Sequence, residues 1–157
     1  MPHPAAAARP YRPGDRVAEH IRAIYEEFGL TYDPDFEDDL LDVASSYAHG
    51  RFLVVAGAGP RADGGPAEIL ATGAVVPCGG VRLVKRMYVA REGRRGGLAR
   101  AILRELCAFG DFARTELWSD VRFPGAHAMY RGEGFVGGPC RVLDDPDRSV
   151  ERFFARG

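Results

Sequence analysis

A short basic segment near the middle of the chain has the composition of an anion-binding loop. It follows a strand-like run, leads into a helix without a capping side chain, and consists of Arg94, Arg95, Gly96, Gly97, Leu98 and Ala99. The first turn of a helix presents unpaired N–H groups and the positive end of the helix dipole. Two glycines leave room for a bulky anion there, and two arginines add charge. The segment therefore predicts a phosphate or pyrophosphate site.

The alternative is that the two glycines only let a helix start close to a sheet. Two nucleotide-binding classes are excluded for this segment on spacing. It contains neither the G-x-x-x-x-G-K-[ST] pattern of a P-loop nor the G-x-G-x-x-G pattern of a Rossmann fold. The strand before it also follows an antiparallel hairpin, which neither of those folds would have.

Hydrophobic periodicity places this segment within an α+β arrangement. Apolar residues at helical spacing predict helices over residues 16–28, 35–48, 96–109 and 126–132. Apolar or alternating runs predict strands over residues 52–56, 69–76, 81–90, 115–121 and 135–143, with short strands near 10–12 and 149–154. A strand–helix–strand crossover within an antiparallel meander implies a mixed sheet between layers of helices.

Length and composition indicate one ordinary globular domain. The chain has 157 residues, of which 46% are hydrophobic and 27% charged. We expect residues 1–9 to be a disordered leader and residues 10–157 to form a single domain. A formal net charge of -1 gives no reason to expect nucleic acid or a membrane as partner.

The N-terminal residues and the cysteines indicate the cellular compartment. Residues 1–8 lack both the charged lead and the apolar core of a signal peptide or membrane span. The three cysteines, Cys78, Cys107 and Cys140, have no metal-ligand spacing and imply no disulfide framework. The sequence thus predicts a cytoplasmic protein without a metal site.

Two motifs, taken in order, resemble those of the GNAT superfamily of N-acetyltransferases. Arg94-x-x-Gly97-x-Ala99 matches the [Q/R]-x-x-G-x-[G/A] signature, and residues 85–89, Lys-Arg-Met-Tyr-Val, look like the strand that precedes it. Residues 128–135, Ala-Met-Tyr-Arg-Gly-Glu-Gly-Phe, are similar to the second motif. The resemblance covers roughly residues 10–143. It implies a GNAT-like α/β/α sandwich around a mixed, mostly antiparallel sheet of six to seven strands.

The resemblance also implies an activity. The chain would be an acetyl-CoA-dependent N-acetyltransferase, passing an acetyl group to a primary amine by direct attack in a ternary complex. The amides of residues 95–99 would bind the pyrophosphate of acetyl-CoA, a co-substrate. Met87, Tyr88 and Val89 would pair with its pantetheine arm as an added strand. The acceptor would be a small-molecule or peptide amine, and the closing hairpin could supply a homodimer interface. An alternative is an acyl-CoA-binding sensor or regulatory module without turnover.

Tyr130, in the short helix after the crossover, is the catalytic acid that the resemblance implies. Its hydroxyl would lie near the sulfur and protonate the leaving thiolate. A phenol pKa near 10 is close enough to that of a coenzyme thiol for useful proton transfer. The alternative is a core tyrosine whose hydroxyl has a structural partner.

The group that deprotonates the amine is less apparent. Many relatives carry a glutamate on the strand before the pyrophosphate loop, where this chain has Arg82, Leu83 and Val84. Asp120, at the end of the strand expected to flank the thioester, is the first substitute, although it could instead cap the following turn. His127 is the second, because the pKa of an imidazole suits a base at neutral pH, although it could simply face solvent.

Acidic residues are concentrated in the second predicted helix. They are Asp33, Asp35, Glu37, Asp38, Asp39 and Asp42. Solvated acids near a helix N-terminus are one interpretation. The other is that some of these carboxylates draw a cationic amine toward the acceptor pocket, which the first two helices and the last hairpin should frame.

Overall fold

Residues 7–157, which the computed structural model describes, form one seven-stranded mixed sheet. The strands are β1 (Arg9–Pro10), β2 (Arg51–Ala56), β3 (Ile69–Cys78), β4 (Val81–Val89), β5 (Thr115–Asp120), β6 (Val136–Val142) and β7 (Val150–Arg156). Their spatial order is β1-β2-β3-β4-β5-β7-β6, and only β4 and β5 run parallel. The predicted mixed, mostly antiparallel sheet is therefore confirmed. Residues 1–6 of the predicted leader lie outside the described residues, and Arg9 pairs with Val54.

Helices cover both faces of this sheet. They are α1 (Val17–Phe28), α2 (Val43–Ser46), α3 (Leu98–Cys107) and α4 (Pro124–Gly132), with 3₁₀ turns at Asp38–Leu40 and Arg91–Gly93. No helix formed by residues 7–157 is both long and apolar enough to span a bilayer.

Two apolar cores explain the layered arrangement. On one face, α1 and the segment around α2 bury side chains such as Ile21 and Val43 against the sheet. On the other face, Ile102 and Leu106 of α3 are fully buried. Strand β2 serves both cores, because successive side chains of a strand point to opposite faces. Val54 therefore belongs to the first core, whereas its neighbours Leu53 and Val55 belong to the second.

The prediction of one continuous helix over residues 35–48 is wrong. Asp42 interrupts it, because its side chain accepts a hydrogen bond from Ser45 N–H at 3.1 Å and starts the four-residue α2. Such side-chain-to-backbone bonds favour a new helix start over continuation. Leu40, Val43 and Tyr47 are buried as the periodicity suggested, but Phe36 is 46% exposed.

The parallel strands β4 and β5 separate part-way along their length. Their pairing covers Arg82 to Val84 of β4 and ends there. Beyond it, β4 contains a bulge at Arg86, whose φ of 57° is unusual for a residue with a side chain. Opposite this bulge lies Gly73, where a Cβ would stand 2.4 Å from Ile102 Cγ2 and 2.6 Å from Met87 Sδ. The separation of the two strands opens the sheet toward α3.

Candidate active site

A cleft of about 770 Å³ occupies the gap between β4 and β5. It extends from the start of α3 to the loops before α2 and between β6 and β7. Of the residues predicted to bind coenzyme or act in catalysis, those that line it are Met87, Tyr88, Val89, Arg94, Arg95, Gly97, Leu98, Ala99, Asp120 and Tyr130. Gly96 and His127 are not among the lining residues.

The start of α3 presents free main-chain donors at one end of the cleft. Gly97, the N-cap residue, has φ of 75° and no side chain caps the helix. The first bond of the helix runs from Ala101 N–H to Gly97 C=O at 3.0 Å, so the amides of residues 98–100 have no acceptor within α3. A left-handed φ at the N-cap suits glycine, because a Cβ costs about 1–2 kcal/mol there. The backbone at this point could cradle an anion.

The two arginines of the loop have different surroundings. Arg94 donates to Glu27 Oε2 at 2.9 Å, and its guanidinium lies 5.2 Å from the centre of the Phe28 ring. The hydrogen bond from Arg94 is the main cause that lowers the pKa of the Glu27 carboxyl. Arg95 has φ of 65° and forms no salt bridge with another residue of the described range 7–157. Arg94 thus anchors the loop to α1, while Arg95 keeps its charge for a ligand.

The last residue of β4 directs its amide into the gap. Ala90 N–H donates to Leu70 C=O on the β3 side at 2.8 Å. Backbone groups of successive strand residues point to alternate edges. The Val89 amide therefore points away from β3, and its carbonyl accepts from Arg94 Nε on that edge at 3.3 Å.

Tyr130 lies at the base of the cleft, within the apolar core between α3 and the sheet. It is 3% exposed, and its ring packs 5.6 Å from that of Phe154. Its hydroxyl makes no hydrogen bond to a side chain or backbone group in residues 7–157, while the residue lines the cleft. Burial raises the pKa of this phenol above its ordinary value, with a smaller contribution from Tyr88. The hydroxyl is thus a protonated donor throughout the working pH range.

Asp120 lines the cleft but is already engaged. Its Oδ1 accepts from Arg122 N–H at 2.8 Å and from Arg122 Nε at 2.9 Å, and its Oδ2 accepts from Arg122 Nη2 at 2.7 Å. The same Arg122 nitrogen donates to Ser149 Oγ at 2.8 Å. Such a bidentate ion pair fixes the carboxylate and occupies both of its oxygens.

His127 is directed into the core instead of toward solvent or the cleft. Its ring meets that of Phe154 edge to face at 4.9 Å, and its Nε2 is buried without a hydrogen-bond partner within residues 7–157. Burial is the main cause that lowers the pKa of this imidazole. His127 therefore does not line the cleft with Tyr130 and Asp120, although its imidazole lies beside the Asp120 backbone.

The acidic segment provides a feature that sequence reasoning did not identify. Glu37 and Asp39 both form ion pairs with Arg86 of the β4 bulge, and the Tyr47 hydroxyl donates to Asp39. The side chains of Arg86 and Glu37 are each 9% exposed. The interpretation of these two acids as solvated is therefore wrong, although Asp35 and Asp38 are exposed. The sequence contains no local signal for this ion pair, because Arg86 and Glu37 are 49 residues apart.

Aromatic rings and a loop-to-loop contact complete this end of the cleft. The hydroxyls of Tyr25 and Tyr88 are 3.0 Å apart, and the Tyr88 ring lies 6.2 Å from that of Phe123. Across the cleft mouth, Asp147 accepts from Thr31 N–H at 2.6 Å and from Thr31 Oγ1 at 2.7 Å. This contact joins the loop after α1 to the loop between β6 and β7.

The architecture is that of the GNAT acetyltransferases. A GNAT-family acetyltransferase from Staphylococcus aureus superposes with a TM-score of 0.75 at 19% identity, over 95% of this chain and 96% of the other. An acetyltransferase from Streptococcus agalactiae gives 0.76 at 17% identity, over 95% and 96%. A variant of the spermidine N-acetyltransferase SpeG from Vibrio cholerae gives 0.64 at 16% identity, over 95% and 93%.

The likeness is one of structure and not of close sequence relationship. No protein-family model matches the chain, and no curated protein matches it. At these identities the superpositions show the fold, and they confirm the GNAT-like sandwich expected from the two motifs.

Proposed function

We propose that the chain is an acetyl-CoA-dependent N-acetyltransferase that passes an acetyl group to a primary amine in a ternary complex. The observation that carries this proposal is the uncapped start of α3, with Gly97 at φ 75°, facing a gap between two parallel strands. Unpaired amides and the helix dipole favour a pyrophosphate. Arg95 supplies additional positive charge.

The pantetheine arm of the coenzyme would pair with the exposed edge of β4. Beyond Val84 this edge has lost its pairing with β5, so its amides and carbonyls are available for an added strand. The Val89 N–H would then donate to the thioester oxygen. A preorganised donor there stabilises the negative charge that develops on this oxygen during attack.

The transfer itself requires one new bond and one broken bond. The amine nitrogen bonds to the thioester carbon, and the carbon–sulfur bond breaks as the tetrahedral intermediate collapses. The attacking nitrogen becomes cationic on bonding and loses one proton to water in the cleft, while Tyr130 would donate its own proton to the departing sulfur and recover one from solvent. This donor role is supported by the position of Tyr130 on the cleft lining and by a hydroxyl that has no hydrogen-bond partner within residues 7–157.

The ammonium form of the acceptor must lose a proton before attack. We assign this proton to water in the cleft, and not to the two side chains predicted from sequence. Asp120 is held on both oxygens by Arg122, and His127 does not line the cleft. With water as the proton acceptor, kcat/KM should rise with pH toward the pKa of the acceptor amine.

A coenzyme titration combined with an amine panel tests the proposal. Acetyl-CoA at one hundred times its Kd should stabilise the protein by about 2.7 kcal/mol. Thiol release from acetyl-CoA should then depend on an added amine, screened over small amines, polyamines, amino acids and peptide N-termini. Binding without amine-dependent thiol release would instead indicate a coenzyme sensor. Absence of any stabilisation would contradict the proposal.

A further inference from the structure

The cleft contains a buried carboxylate that the proposed transfer does not use. Glu37 lies between α1 and the 3₁₀ turn Asp38–Leu40, lines the cleft and is 7% exposed. We infer that Glu37, with the rings of Tyr25 and Tyr88, forms the subsite that binds the ammonium group of the acceptor. The inference rests on the proposed function and specifies how the acceptor first binds: as a primary alkylammonium ion, which loses its proton to cleft water before attack.

One carboxylate oxygen of Glu37 is available to a ligand. Its Oε2 accepts from Arg86, whereas Oε1 has no hydrogen-bond partner within residues 7–157. Within that same range, His20 Nε2 and His127 Nε2 are the only side-chain nitrogen or oxygen atoms that are both inaccessible to solvent and without a hydrogen-bond partner. Glu37 Oε1 also has no partner but is not one of these atoms, so it is accessible to solvent. Because Glu37 lines the cleft, a donor can approach this oxygen from the cleft. A desolvated carboxylate with a free oxygen gains most from a charged N–H donor.

Arg86 holds this carboxylate without cancelling its charge. The single guanidinium is shared between Glu37 and Asp39, so the three side chains together carry one net negative charge. Both ion pairs fix side chains that would otherwise be mobile, and a fixed group binds a ligand at lower entropic cost. The result is a preorganised negative site beside the β4 bulge.

Aromatic faces beside Glu37 suit an alkylammonium ion. The rings of Tyr25 and Tyr88 meet edge to face at 5.7 Å, and both residues line the cleft. Burial, with a smaller contribution from the charge of Glu37, raises the pKa of both phenols above the ordinary value, although the charge of Arg86 acts in the opposite direction, so both hydroxyls remain neutral. Cations bind favourably over such rings. The half-exposed ring of Phe36 offers apolar surface for the alkyl part.

A neutral or anionic acceptor would fit this subsite poorly. A neutral alcohol gives only an uncharged hydrogen bond to Oε1, and an anion would be repelled by the net charge of the cluster. The arrangement therefore discriminates by charge as well as by shape.

Two matched ligands test the subsite. The probes are 2-phenylethylammonium and its neutral isostere 2-phenylethanol, titrated by calorimetry at pH 7. Coenzyme A is present because it lacks an acetyl group and cannot be consumed. The wild-type protein should bind the ammonium ion about tenfold to a hundredfold more tightly than the alcohol, which is the range for a charge-assisted hydrogen bond. Equal affinities in the wild type would overturn the inference without requiring any variant.

Glu37→Gln removes the charge while keeping an oxygen for Arg86. This variant should lose about tenfold or more in affinity for the ammonium ion and leave the alcohol unaffected. Asp38→Asn is the matched control, since it removes the same charge one residue away from an exposed position outside the cleft. Unchanged ammonium binding in Glu37→Gln, or an equal loss in Asp38→Asn, would contradict the assignment. The Kd of coenzyme A, measured separately, distinguishes failure of the proposed function from failure of the subsite.

Discussion

The two ends of the cleft differ in the chemical groups that line them. At the α3 end the charged lining residues are Arg94, Arg95 and Arg100, and the remaining donors are main-chain amides. At the far end six acidic side chains line the cleft: Asp33, Glu37, Asp120, Asp145, Asp147 and Glu151. The cations of that end are Lys85, Arg86 and Arg141. One end thus suits a polyanion, whereas the other suits a cation.

The difference also concerns how each end is built. The α3 end depends on backbone conformation within one short segment, and little of it requires a particular side chain. The far end depends on contacts between segments distant in sequence, such as the ion pair of Glu37 with Arg86 and the hydrogen bonds from Thr31 to Asp147. Substitutions should therefore affect stability most at the far end and coenzyme affinity most at the α3 end.

The largest effect is expected from Arg86→Met. It leaves Glu37 and Asp39 as two unpaired, mostly buried carboxylates, and removal of one partner from such a pair costs about 3–5 kcal/mol. Urea unfolding at pH 7 measures the change. Arg91→Met is the control, because that side chain is 74% exposed and its surface pair contributes little. A loss below about 1 kcal/mol at Arg86 would mean that the far end is not held together by charge.

Acid should destabilise the α1 face of the sheet through His20. Burial lowers the pKa of this imidazole from 6.5 to about 4, and the residue is 8% exposed. The native state holds His20 neutral while the unfolded chain takes up a proton below pH 6.5. Neutral His20 therefore contributes fully to the free energy of unfolding above pH 6.5. This contribution, on the order of 3 kcal/mol, is lost as the pH falls toward 4. The free energies of unfolding of the wild type and His20→Gln, measured at pH 7 and pH 4.5, should differ less at the lower pH. An equal difference at both pH values would contradict this.

Tyr130→Phe should separate catalysis from binding at the α3 end. Loss of the proton donor should lower kcat by about a hundredfold, while the Kd of acetyl-CoA stays near the wild-type value. Steady-state rates and a coenzyme titration provide the two numbers. Tyr11→Phe serves as the control, since Tyr11 packs against Phe52 outside the cleft and its hydroxyl loss should leave turnover intact. Unchanged turnover in Tyr130→Phe would remove its role as acid.

The smallest effect is expected at the helix start itself. Gly97→Ala places a Cβ at φ 75°, which should cost about 1–2 kcal/mol of stability or shift the backbone donors, with a rise in the Kd of acetyl-CoA. Gly96→Ala is the matched control for stability, because its φ is not left-handed and the nearest atom to a new Cβ is Gly93 O at 3.5 Å. Equal destabilisation by both substitutions would show that the left-handed N-cap is not what requires glycine.

The α3 end was predictable because its determinants are contiguous. Periodicity located β4 and α3 within about two residues, and the glycines and arginines between them have a local physical meaning. The observed gap between β4 and β5 lies beside Met87 to Val89, the segment that the motif resemblance assigned to the pantetheine arm. These features follow from residues that are neighbours in the chain.

The far end was not predictable, because its partners meet only in the folded chain. Glu37 and Arg86 are 49 residues apart, and Thr31 and Asp147 are 116 apart. No periodicity indicates such pairs. The prediction of a helix over 35–48 was wrong for a related reason. The Asp42 side chain accepts the hydrogen bond of Ser45 N–H, and Glu37 and Asp39 form ion pairs with the distant Arg86. His127 likewise has an unremarkable sequence context, and only the packing against Phe154 shows where it faces.

Gly73 of β3 sets how closely helix α3 packs against the sheet. The absence of a side chain lets Ile102 of α3 and Met87 of β4 occupy the same small space above the strand. A methyl group at this position would move α3 away from the sheet, together with the main-chain amides that follow Gly97. It should lower the free energy of unfolding by about 1–3 kcal/mol. The absence of a Cβ at Gly73 thus sets the distance between the start of α3, the proposed pyrophosphate site, and the strands β4 and β5.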